Sequence, residues 1–123
     1  FCSTVISVRD VEAGDPVGYG GRWVAPRKSK IATVAAGYGD GYPRHARDGT
    51  PVIIRGRRAP LAGRVSMDML TIDVTDLESV APGDAVTLWG DALPVDEIAA
   101  HCETIGYELL ARMPARVPRQ LCT

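Results

Sequence analysis

Short runs of β-branched residues, each closed off by a proline or glycine turn, limit what this chain can become. Thr4 to Val8, Ile31 to Ala35, Val52 to Ile54, Leu70 to Val74 and Ala85 to Trp89 favour pleated strands. Between such runs stand Glu12-Ala13-Gly14-Asp15-Pro16, Asp48-Gly49-Thr50-Pro51 and Ala81-Pro82-Gly83-Asp84, where Pro presets φ and Gly permits a positive one. This spacing suggests a barrel or sandwich, and the expectation is an all-β, small barrel-like domain of short strands. Val11 to Val17 and Val80 to Val86 share the pattern V-x-x-G-D-x-V, which is one turn used twice and not yet a repeat. A single segment reads as helix: Val95, Ile98, Ala99 and Cys102 fall at i, i+3, i+4 and i+7, behind Pro94 and with Asp96 and Glu97 at the positive end of the dipole. It predicts one short covering helix over Val95 to Cys102, followed by a return strand from Tyr107 to Met113.

Composition narrows the function classes. A chain of 123 residues with 46% hydrophobic and 24% charged residues has the make-up of one globular domain. Its 14 basic residues are balanced by 15 acidic ones, so the net positive field that nucleic-acid binding usually needs is missing. Apolar stretches such as Ile31 to Ala36 are far short of the roughly 20 residues that cross a bilayer. A start of Phe1-Cys2-Ser3 shows no signal-peptide pattern. Cys2, Cys102 and Cys122 lack metal-ligand spacing and are odd in number, which predicts free thiols in a reducing, cytoplasmic setting.

Chemistry concentrates in two glycine-flanked tyrosine phrases, Gly18-Tyr19-Gly20-Gly21 and Gly37-Tyr38-Gly39-Asp40-Gly41-Tyr42-Pro43-Arg44. Glycine clears side chains from around a phenol and lets a backbone or ligand approach it. Tyr-Gly pairs are also ordinary turn residues, and that reading stays open for either phrase alone. Neither phrase carries a P-loop or dinucleotide spacing. In Gly63-Arg64-Val65-Ser66-Met67-Asp68-Met69, strand period would put Arg64, Ser66 and Asp68 on one face, equally suited to a site and to a solvated strand. Tyr42, between Gly41 and Pro43, reads as structural. Trp23 and Trp89 read as core or interface residues, and His45 and His101 as exposed or helix-end histidines without metal spacing.

Taken in order, these phrases resemble the alanine racemases. Val17-Gly18-Tyr19-Gly20-Gly21-Arg22-Trp23 is similar to the family's catalytic-tyrosine segment, and Ala36 to Arg44 to its second tyrosine motif. Ala59-Pro60-Leu61-Ala62-Gly63-Arg64-Val65-Ser66-Met67-Asp68-Met69, then Leu93 to Ala99, Ile105-Gly106-Tyr107-Glu108-Leu109-Leu110 and Arg116-Val117-Pro118-Arg119 continue the match. Phe1 to Thr4 is a worn version of the family's first strand. The resemblance implies that residues 1–123 are the C-terminal domain. It also implies that the N-terminal (β/α)₈ barrel, which bears the pyridoxal 5'-phosphate (PLP) lysine, is absent from this chain, so the chain alone would be inactive.

By the same resemblance, the enzyme interconverts L- and D-alanine with two bases on opposite faces of the α-carbon, the cofactor lysine and a tyrosine, here Tyr19. A free phenol titrates near about 10, so Tyr19 would need desolvation or nearby cations to act as a base. The tyrosine would serve the partner subunit's active site in a head-to-tail homodimer. Tyr38, Arg44 and Arg64 would line the substrate entrance, Met67 (through its backbone N–H) and Asp68 would lie near the substrate carboxylate, and Tyr107 would hydrogen-bond the cofactor phosphate. The product D-alanine would feed peptidoglycan of the cell wall. Three rivals stay open: a broad-specificity amino-acid racemase, a non-catalytic β-barrel binding module, and the β domain of a pyridoxal-dependent decarboxylase. The role implied for Tyr107 predicts that Tyr107→Phe in the full-length protein weakens PLP retention, measured by absorbance after dialysis; unchanged retention would make Tyr107 structural.

Overall fold

The computed structural model describes residues 1–17, 23–90 and 93–101. In chain order the strands are β1 (Cys2–Val11), β2 (Pro16–Val17), β3 (Trp23–Val24), β4 (Ser29–Val34), β5 (Pro51–Ile54), β6 (Arg57–Pro60), β7 (Leu70–Asp73) and β8 (Ala85–Thr87), followed by helix α1 (Val95–His101). Six of these strands form one antiparallel sheet in the order β6-β5-β8-β1-β4-β7, and β2 pairs with β3 as a separate ribbon.

The long strand β1 joins the halves of the sheet. Its first residues pair with β8, Cys2 opposite Thr87, and its remainder pairs with β4 from Val5 opposite Val34 to Val11 opposite Ser29. The register slips between Val5 and Ser7, so Ile6 bulges outward, 49% exposed, and a bulge of this kind bends a strand and increases its twist. The sheet curls until its edges touch. Leu61, just past β6, bridges Ile72 of β7, and the Ala62 N–H donates to Thr71 O at 2.9 Å. This is the barrel-like, mostly-strand architecture that the sequence predicts, although the sheet does not close by a full ladder.

Burial follows the strand period at Val52 and Ile54 of β5, Leu70 and Ile72 of β7, and Val86 of β8, whereas β4 buries both faces, Ala32 and Val34 in the main core and the adjacent Ile31 in a second cluster. Tyr42 and Trp89 are buried with them, their rings stacked 5.9 Å apart, and Phe1 tilts against Trp89 at 4.8 Å. Tyr42 is therefore structural, as its Gly-Tyr-Pro setting suggests, and its ring belongs to the core. A smaller cluster of Val11, Val17, Ala25, Ile31 and Ala62, with Trp23 packed on it, anchors the β2–β3 ribbon.

The V-x-x-G-D-x-V pattern proves to be one turn built twice. The Asp15 carboxylate accepts from Glu12 N–H at 3.0 Å while Asp15 N–H donates to Glu12 O. Asp84 does the same with Ala81. Such an aspartate replaces the backbone bonds that a turn leaves open.

Strand β6 is not apparent in the sequence, because Arg57-Arg58-Ala59-Pro60 lacks β-branched residues. It is paired by a two-residue hairpin, Arg55 at φ 51 and Gly56 at φ 74, in the type that matches the twist of antiparallel strands. As an edge strand it tolerates Pro60. Another expectation is corrected at Cys2, which is disulfide-bonded, with its partner sulfur outside the described residues. Whether cysteines join depends on their separation in the fold, which chain spacing does not report. The thiol argument for a reducing compartment falls with it. The return strand expected from Tyr107 to Met113 also lies outside the described residues.

Helix α1 buries Ile98 and Ala99 against the sheet. The Glu97 carboxylate takes both outer nitrogens of Arg58 on β6, one at 2.9 Å. No helix among the described residues is long and apolar enough to cross a membrane. Burial, more than the exposed ion pair, should hold α1 in place: Ile98→Ala is expected to lower stability by about 2–5 kcal/mol in urea denaturation, and Arg58→Gln by much less. The reverse order would make the ion pair the main anchor.

Candidate functional site

The second tyrosine phrase and the G-R-V-S-M-D phrase are separated by the 18 residues 45–62, yet their backbones are hydrogen-bonded in the fold. Tyr38 N–H donates to Ser66 O at 3.0 Å and Gly39 N–H to Met67 O at 2.9 Å. A Cβ on Gly37 would stand 2.2 Å from Ser66 O and 2.5 Å from Met67 O. Only glycine fits there. Residues Tyr38–Asp40 then wind into a single 3₁₀ turn, and the Asp40 carboxylate accepts from Gly37 N–H at 3.2 Å.

The partner segment is not the strand that alternation suggests. Apart from a single β-bridge at Arg64, the chain to Met69 runs as a loop, closed by Ser66: its N–H and Oγ donate to Met69 O at 2.9 and 3.0 Å, and its Oγ accepts from Met69 N–H at 3.0 Å. Serine competes for backbone groups in this way and so favours turns over ladders. One base of the loop is held where the Asp48 carboxylate accepts from Gly63 N–H at 2.8 Å.

Between these segments lies a cleft of about 630 Å³, within the ~300–1,000 Å³ usual for small-molecule sites. Tyr38, Arg44, Arg64, Met67 and Asp68, singled out from sequence, all line it. The Arg44 guanidinium sits over the Tyr38 ring, 5.2 Å from its centroid, a contact that orients both side chains at the wall. Arg64 also borders a neighbouring recess of about 310 Å³ with Arg9, Thr33 and Thr71. Guanidinium groups at a concave mouth suit an anionic small molecule. Tyr19 and Tyr107 lie outside the described residues. Val17 and Trp23, which bracket residues 18–22, pair with each other.

His45, expected to be exposed, is exposed and also lines the cleft, a place the sequence did not assign to it. The signal was its place directly after Arg44, but the relevant period was that of a turn, not of a metal site. Met69, 45% exposed, also joins the wall beside Met67 at 57%.

A family model for the alanine racemase C-terminal domain matches residues 1–121. The chain belongs to that family. It is 58% identical over 118 residues to alanine racemase from Chromohalobacter salexigens, covering 96% of this chain and 32% of the relative. It is likewise 58% identical over 116 residues to the biosynthetic alanine racemase of Pseudomonas aeruginosa. The crystal structure of the biosynthetic alanine racemase from Pseudomonas aeruginosa superposes with TM-score 0.94 at 55% identity, over 99% of this chain and 34% of that one. Alanine racemase from Bartonella henselae with covalently bound pyridoxal phosphate superposes at 0.90 with 34% identity, over 98% of this chain and 34% of that one. The chain thus spans about a third of the length of these family members.

The absence of room at Gly37 gives a direct test of the contact between the two motifs. Gly37→Ala should destabilise the fold by about 1–3 kcal/mol through overpacking and shift the backbone amide resonances of Ser66 and Met67. Unshifted resonances would show that the segments do not touch.

Proposed function

We propose that this chain is the C-terminal domain of a PLP-dependent alanine racemase, an isomerase that interconverts L- and D-alanine by a two-base mechanism. In this reading Tyr19 is the base that the domain supplies to the partner subunit's active site in a head-to-tail homodimer. The observation that carries it is convergence: residues from two separate motifs, Tyr38 and Arg44 with Arg64, Met67 and Asp68, line one cleft in a chain that matches the family over residues 1–121.

The described cleft fits the anionic side of an amino-acid substrate better than the covalent anchor of a cofactor aldehyde. Lys28 and Lys30 are the lysines of the chain, and neither lines the cleft. The anchoring lysine accordingly belongs to the barrel domain of the full-length protein, with Tyr107 of this domain as a hydrogen-bond donor to the cofactor phosphate. When bound, PLP withdraws electrons from the substrate α-carbon and so acidifies its proton.

The remaining work falls to this chain's side chains. Tyr19 removes the proton from L-alanine and returns one to the same face in the reverse direction. The Met67 N–H and the Asp68 region hold the substrate near its carboxylate, while Arg44 and Arg64 draw that carboxylate to the mouth beside the Tyr38 ring. A cytoplasmic location and a role in supplying D-alanine for peptidoglycan complete the reading, both resting on the family.

The test is α-proton exchange in D₂O, followed by NMR on the full-length protein loaded with PLP and given L- or D-alanine separately. Wild type should exchange both, and Tyr19→Phe should slow exchange from L-alanine by about 10²-fold or more, with a smaller effect on D-alanine. Near wild-type exchange from L-alanine in Tyr19→Phe would remove Tyr19 from the mechanism. Exchange of serine or a basic amino acid, but not alanine, would instead mark a broader racemase.

A further inference from the structure

Loop Ser66 to Met69 has successive carbonyls turned to the same side. The Ser66 carbonyl accepts from Tyr38 N–H and the Met67 carbonyl from Gly39 N–H. A trans peptide holds its C=O and N–H antiparallel. The N–H groups that share those peptide units, on Met67 and Asp68, therefore both point away from the 37–39 backbone. Neither donates to any group among the described residues, and both residues line the cleft. Two neighbouring free N–H groups aimed to one side form an anion-binding concavity, and each is polarised further by the bond its own carbonyl accepts.

We infer that Gly37 and Ser66 are positioning residues that hold the Met67 and Asp68 N–H groups for the carboxylate of the substrate. Gly37 acts by having no Cβ: only then can the 37–39 backbone close on both carbonyls at 3.0 and 2.9 Å. Ser66 acts from the other end, its hydroxyl fixing Met69 N–H and O so that the loop cannot unwind. Paired N–H groups suit the two oxygens of a carboxylate. The Asp68 side chain in the same cleft opposes a doubly charged phosphate more strongly than a singly charged carboxylate. The amino-acid identity of the ligand rests on the racemase reading, whereas the positioning of the N–H pair does not.

The probe is propionate, which has the carboxylate and carbon frame of alanine without the amine. Its binding to the full-length, PLP-loaded protein is read by NMR line broadening, independently of turnover. Gly37→Ala should weaken propionate binding about tenfold and raise KM for L- and D-alanine by a similar factor, because both enantiomers share the carboxylate. This symmetric loss differs from the L-biased loss expected of a base. Should Gly37→Ala fail to fold by near-UV circular dichroism, Ser66→Ala should still weaken propionate binding about threefold, with Ser66→Thr restoring it.

A folded Gly37→Ala or Ser66→Ala protein that binds propionate like wild type overturns the proposal, as does a fall in kcat with KM unchanged. A wild type that binds propionate but racemises nothing, with Gly37→Ala weakening that binding, upholds the positioning and counts against the racemase reading.

Discussion

The backbone contact between residues 37–39 and 66–67 is the constraint on which the cleft depends. Two loops distant in sequence share N–H to carbonyl bonds across a gap with no room for a methyl group. Each loop satisfies part of its own backbone internally, through Asp40 on Gly37 N–H and Ser66 on Met69. Across the contact the Tyr38 and Gly39 N–H groups meet the Ser66 and Met67 carbonyls, which matters because a donor or acceptor left unmade where water is excluded costs about 1–3 kcal/mol. Side chains that flank the contact are thereby carried to one concavity.

The sheet serves that contact. Strand β1 binds β8 with one end and β4 with the other, and the bulge at Ile6 allows the two halves to turn toward each other. Curling brings Leu61 to Ile72, so the chain leaves β6 and enters β7 at the same rim. The 64–69 loop spans that short gap. It cannot move far without breaking the Leu61–Ile72 bridge or the Asp48 bond to Gly63.

Much of this was legible in the sequence because the controlling forces are local. β-branched runs gave strands, Pro94 with Asp96 and Glu97 gave the start of α1, and the turn aspartates marked Asp15 and Asp84. What was not legible is non-local. Strand β6 exists because a left-handed Arg55-Gly56 turn folds it onto β5, not because its residues prefer strands. Alternation in 64–68 mimicked a strand, and the Ser66 hydroxyl overrode it. Cys2 found a disulfide partner although spacing offered none. His45 entered the cleft as the neighbour of Arg44.

By itself, then, the sequence determined the all-strand character, the short helix, the punctuation and the membership of a family whose motifs survive in order. Those properties rest on propensity, periodicity and turn stereochemistry, each decided within a few residues. Only the tertiary structure decided that Tyr38 and Arg44 face Arg64, Met67 and Asp68 across one cleft, and that Gly37 must be glycine. These depend on which carbonyl lies opposite which N–H, and that is set by the curl of the whole sheet.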